Sequence, residues 1–181
     1  EKVLKAMLIN FPNAEIWTLW CNDRQYFESL GITVHESILS KFPNMLRRPL
    51  SLIFAPFFWR FLPNYDCDVI LVSSHQFAHL AKFRGSQAPI FAYIHTPARY
   101  IWLTGDDDRL SRFRIVMKIF QIVDRSFNNA DFLAANSNTV KNRIATYWNL
   151  DSLVIHPPVE LQNYSEAESY ISGTFPKEDY L

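Results

Sequence analysis

Four apolar runs in this chain each end abruptly in a short polar turn. DVILV, from Asp68 to Val72, gives way to Ser73, Ser74 and His75, and PIFAYI, from Pro89 to Ile94, to His95, Thr96 and Pro97. DFLAA, from Asp131 to Ala135, runs into Asn136 and Ser137, and SLVI, from Ser152 to Ile155, into His156, Pro157 and Pro158. Unbroken rather than alternating hydrophobicity marks strands covered on both faces, as in a parallel sheet. Helical patterns separate the four runs, so the strands should point the same way and end along one edge. Ligands of open α/β sheets bind at that edge, and the four polar endings are therefore expected to form a single site.

The remaining pattern fills in the same fold class. Val3, Leu4, Met7 and Leu8 share one helical face, so the chain opens inside a helix. A strand (Glu15 to Trp20), a short helix (Asp23 to Leu30) and a second strand-like piece (ITVHE) follow. From Lys41 to Leu62 the chain reads as an aromatic helical region broken by prolines. Ser73 or Ser74 is placed to cap a helix after the third strand. The longest helix is expected from about Arg109 to Asn128, burying Phe113, Val116, Met117, Phe120, Val123 and Phe127. Another runs from Asn136–Ser137 to Trp148. The expected architecture is a Rossmann-like, three-layer α/β domain with a parallel sheet over residues 1–158, its first strand lying upstream of Glu1.

Composition narrows the function classes. The chain has 181 residues, 49% of them hydrophobic, enough for one full core. Its 18 basic and 18 acidic residues balance, which argues against a nucleic-acid partner. Cys21 and Cys67 have no CxxC or zinc-like spacing and read as reduced thiols of a cytoplasmic protein. His75 and His79 are spaced as a helical metal pair, but no carboxylate motif accompanies them. The DxD pattern at Asp106–Asp108 reads as an acidic helix start. No metal is expected.

YIHTPARY (Tyr93 to Tyr100), AANSNTVKNRIATYW and VIHPPVE, in that order, resemble the amino-terminal domain of family 4 (group 1) glycosyltransferases of the GT-B fold. The similarity is greatest to the bacterial subgroup that builds surface polysaccharides, often from mannosyl-type donors. It covers nearly the whole chain: EKVLKAMLINFPNAEIWTL resembles the helix after a Gly-rich loop, and DCDVILVSSHQFAHLAK the central strand and turn. The resemblance implies retaining transfer from a nucleotide-sugar donor to a polysaccharide or lipid-linked acceptor, with no cofactor beyond that substrate. It implies that residues 159–181 form a linker into a second domain carrying most donor contacts and a pair of glutamates. His95 would be the catalytic residue at the floor of the site, Ser74, His75, Arg99 and Tyr100 would face the acceptor, and Asn136 and Ser137 the donor.

Residues 37–65 contain Lys41, Arg47, Arg48 and Arg60, many large apolar side chains and no acid. Pro49, Pro56 and Arg60 interrupt the run before it reaches the ~20 apolar residues of a membrane span. The combination fits a helix lying on an anionic surface, and hence a peripheral location on the inner face of the cytoplasmic membrane through residues 41–62. It also fits a groove wall for a lipid-linked acceptor, and equally a core helix with a basic outer side. A flavodoxin-like or periplasmic-type binding module would use the same sheet edge without chemistry, and a protein-interaction domain would use the basic aromatic face instead.

Overall fold

The computed structural model describes residues 2–102, 114–126 and 129–158. Helix α1 (Lys2–Asn10) leads to β1 (Ile16–Thr18), α2 (Arg24–Ser29) and β2 (Val34–Glu36). After a 3₁₀ turn come α3 (Asn44–Arg60), β3 (Leu62–Asn64) and β4 (Ile70–Ser74). A second 3₁₀ turn at Phe77–Leu80 leads to β5 (Phe83–Arg84), β6 (Ile90–Ile94), the single turn α4 (Arg99–Trp102) and α5 (Arg114–Ser126). The described chain ends with β7 (Phe132–Ala135), α6 (Asn138–Trp148) and β8 (Leu153–Val154).

Strands β4, β6, β7 and β8 form one parallel sheet in that order. The sheet takes these four strands in chain order, with β5 left out to pair with β3. The four apolar runs are these strands. Ile70, Val72, Ile90, Ala92, Ile94 and Ala135 pack against Val140, Ile144 and Trp148 of α6. The fold is a Rossmann-like α/β domain, as expected.

Three details differ from the sequence expectation. β1 and β2 pair in parallel with each other, and β3 with β5, as two separate ladders beside the main sheet. Trp17 fills the space between them, stacked on His35 at 4.1 Å and edge-on to Tyr65 and Phe83. Helix α3 runs unbroken through Pro49 and Pro56. A proline costs the carbonyl four residues earlier its bond, and for Pro49 that carbonyl belongs to Met45, which is open to water at 89% exposure. Lastly, no α-helix follows β4. The strand continues through both serines into the 3₁₀ turn, so neither serine caps a helix.

Helix α5 shows the largest departure. Phe113 and Phe127 lie outside the described residues, as do the Asp106–Asp108 loop and residues 159–181. Phe120 and Val123 pack inward as expected, but Val116 is exposed, and so are Ile115, Ile119 and Ile122. Among the described side chains of α5 the fully buried one is that of Asp124. Its Oδ2 accepts from the indole N–H groups of Trp102 and Trp148, each at 2.7 Å. His79, also buried, stacks on Trp148 at 4.3 Å, and its Nε2 lies 3.0 Å from the Asp124 carbonyl oxygen and 3.5 Å from Oδ1. One side chain thereby joins the turn after β4, helix α4 after β6 and helix α6 after β7.

Replacing Asp124 by Ala leaves two indole donors buried without acceptors. Bonds to a carboxylate are worth about 1.5–3 kcal/mol each, so for the two together a loss of roughly 3–6 kcal/mol is expected in urea unfolding. Asp124→Asn keeps one carbonyl oxygen and should cost less. Equal midpoints for Asp124→Ala and wild type would show that the carboxylate carries no weight.

Candidate functional site

The site is built where the four strands end. His95 N donates to Ser74 O (2.9 Å), Asn136 N to Ile94 O (3.2 Å) and Ile155 N to Ala135 O (2.9 Å). The first residue beyond each strand thus bonds the last residue of its neighbour, and the ladder continues into the turns. Side chains reinforce the stair. Asn136 Nδ2 donates to His95 O at 3.0 Å, and Tyr93 Oη donates to Ile155 O at 2.9 Å. His75, His95, Asn136 and His156 accordingly lie along one edge, as the apolar runs imply.

His95 is the centre of this edge. Its imidazole stacks on that of His75, with centroids 4.0 Å apart and planes 8° from parallel, and Tyr93 meets it edge-on at 5.2 Å. Its Nε2 lies 2.9 Å from Ser73 Oγ. Burial pushes the His95 imidazole down to about 4, and the neighbouring His75 adds to the effect. Burial lowers His75 as well. Two stacked rings cannot both carry charge cheaply, and near neutral pH His95 is an uncharged ring with one donor and one acceptor nitrogen.

The other expected residues divide. Ser74 is 1% exposed, and its hydroxyl donates to Gln76 O at 2.6 Å, so it cannot face an acceptor. Successive strand residues point to opposite faces, and the serine beside the imidazole is Ser73. His75 and His79 do not share a helical face: His75 turns to His95, while His79 points into the interior. Among the described residues no group of three or more His, Cys, Asp or Glu is placed to hold a metal ion. Arg99 and Tyr100 are exposed on α4, just past Pro97. Burial and the nearby Asp124 carboxylate raise the Tyr100 phenol well above its usual range, so its hydroxyl end faces inward while part of the ring stays open.

Asn136 and Ser137 hold the turn into α6. Ser137 Oγ donates to Asn136 Oδ1 (3.0 Å) and accepts from Val140 N (3.3 Å) as a helix cap. With Nδ2 on His95 O, both polar atoms of the Asn136 side chain are engaged. Arg143, part-buried on α6, reaches the turn after β6, its Nη1 3.4 Å from Thr96 Oγ1. Its position seven residues after Asn136, two turns along α6, was the available signal.

The buried imidazole has a consequence for stability. In the unfolded chain His95 gains its proton as pH falls through about 6.5, whereas in the folded chain it does so only at about 4. Between these values the unfolded state binds more protons, so stability should fall as pH is lowered across this window and stay level above it. Thermal melts of wild type and His95→Gln from pH 4.5 to 7.5 should show a weaker acid dependence in the variant. Parallel curves would contradict the assigned environment.

A family model described as Glycosyltransferase Family 4 matches residues 13–163, from just before β1 to beyond β8. No curated protein and no solved structure matches the chain. The matched stretch contains every strand of the sheet and every residue of the edge built around His95. The chain belongs to glycosyltransferase family 4.

Proposed function

We propose that this domain is the amino-terminal, acceptor-side half of a GT-B enzyme. It transfers a hexosyl group, mannosyl in the leading case, from a nucleotide sugar to a polysaccharide or lipid-linked acceptor with retention of configuration. The observation that supports it best is a neutral His95, fixed at the joint end of four parallel strands, with a cation, Arg143, on the neighbouring helix. Transfer leaves negative charge on the departing diphosphate and develops positive charge at the sugar ring. Arg143 and the amino end of α6 suit the first. An uncharged imidazole suits the second, because it can donate a hydrogen bond to the sugar or phosphate without repelling the ring.

In this proposal His75 and the exposed parts of Arg99 and Tyr100 border the acceptor, and the turn at Asn136–Ser137 borders the donor. The nucleotide pocket belongs to a second domain. Helix α3 would rest on an anionic bilayer, because Ile53, Phe54 and Phe57 are exposed and residues 37–65 carry cations but no acid. No helix among the described residues is long and apolar enough to cross a membrane.

His95→Ala should lower the transfer rate by ~10²–10³, the usual cost of one preorganised polar contact, while circular dichroism stays unchanged. Wild-type turnover in a folded His95→Ala enzyme would reduce the residue to a structural one. Sedimentation with phosphatidylglycerol vesicles should carry the chain down at low salt and release it as salt rises, since screening acts on exposed charges. Absence of binding at low salt would return α3 to a purely structural role.

A further inference from the structure

Strand β4 ends in two serines, and the one that touches the site chemistry is the first. Ser73 pairs with Tyr93 across the β4–β6 ladder and is half-buried beside the imidazole. Its Oγ stands 2.9 Å from His95 Nε2 and has no other hydrogen-bond partner among the described residues. His95 Nδ1 likewise has none among the described residues.

We propose that Ser73 is a positioning residue for glycosyl transfer: its hydroxyl donates to His95 Nε2, fixing the tautomer that carries its proton on Nδ1 and presenting that N–H to the reacting sugar or diphosphate. The last step rests on the role of His95 proposed above; the tautomer does not.

A neutral imidazole has one donor and one acceptor nitrogen, and the bond made by one nitrogen decides the state of the other. A serine hydroxyl can serve either way, but with no competing acceptor among the described residues its proton goes to the ring nitrogen in front of it. The ring has little freedom to answer differently. His75 covers one of its faces, and Tyr93 abuts it edge-on. The main chain of His95 is held at both ends, by its own N–H on Ser74 O and by Asn136 Nδ2 on its carbonyl. What remains open is only where the single proton sits. Free histidine favours the proton on Nε2, so a proton held on Nδ1 is a signature the protein must impose. It is also the useful state: a donor aimed away from the serine, on a ring that burial keeps uncharged.

The test is long-range ¹H–¹⁵N correlation of the imidazoles in the ¹⁵N-labelled chain at pH 7.5. Wild type should show His95 with a protonated Nδ1 and an unprotonated Nε2. Ser73→Ala should move the population toward protonated Nε2, with the His35 and His79 signals unchanged, and Ser73→Thr, which retains the hydroxyl, should restore the wild-type pattern. In the active enzyme Ser73→Ala should lower kcat severalfold to tenfold with KM nearly unchanged. A wild-type His95 protonated on Nε2, or a tautomer indifferent to Ser73→Ala, overturns the proposal even if rates fall. A tautomer shift with unchanged rates in both Ser73→Ala and His95→Ala upholds the serine–histidine bond and sinks the catalytic reading of His95 instead.

Discussion

A single buried carboxylate holds the segments that build the site. Asp124 accepts two indole N–H bonds on one oxygen and lies against His79, and these partners come from the stretches that follow β4, β6 and β7. Burying an ionised group is costly unless it is bonded. Here Oδ2 is satisfied twice, while Oδ1 has no hydrogen bond among the described residues and lies 3.5 Å from the His79 ring. The arrangement is therefore sensitive to error. Any shift of α4 or α6 that loses an indole bond leaves a buried carboxyl group with too few partners, which favours one packing of these helices over near alternatives.

That constraint explains how the exposed turns keep their geometry. Trp102 closes α4, three residues beyond Arg99, and Trp148 closes α6, whose first turn begins beside Asn136. Fixing both indoles fixes the two segments that flank His95. The chemistry is then divided between two kinds of group. Arg143 brings charge from the helix, whereas the stacked histidines bring hydrogen bonding without charge. A leaving diphosphate and an electron-poor sugar ask for that separation.

The sequence was most legible where both faces of an element are apolar. The four runs ending at Val72, Ile94, Ala135 and Ile155 are strands, all parallel, and their polar endings do meet. It was least legible where a single polar residue reverses the expected face. An aspartate among isoleucines in α5 reads as a solvent-facing charge, and only two indoles distant in sequence, Trp102 and Trp148, make it the buried residue. Ser73 and Ser74 could not be told apart as helix caps because neither caps anything. Strand alternation sends one to the imidazole and the other to Gln76, and that depends on where β4 ends. Pro49 and Pro56 argue for a break that tertiary packing of Ser51, Ala55 and Pro56 overrides.

The stair of bonds at the strand ends ties the site to the order in which the sheet is assembled. His95 takes its place only once β6 has paired with β4, Asn136 only once β7 has joined β6, and Ile155 only once β8 has joined β7. Parallel pairings of this kind bring together residues far apart in the chain and form slowly. An incompletely folded chain therefore carries an incomplete site: it can hold the two histidines together while lacking the asparagine that clamps one of them. Recovery of function after denaturation should then trail recovery of helix content, making the edge of the sheet a late marker of the native state.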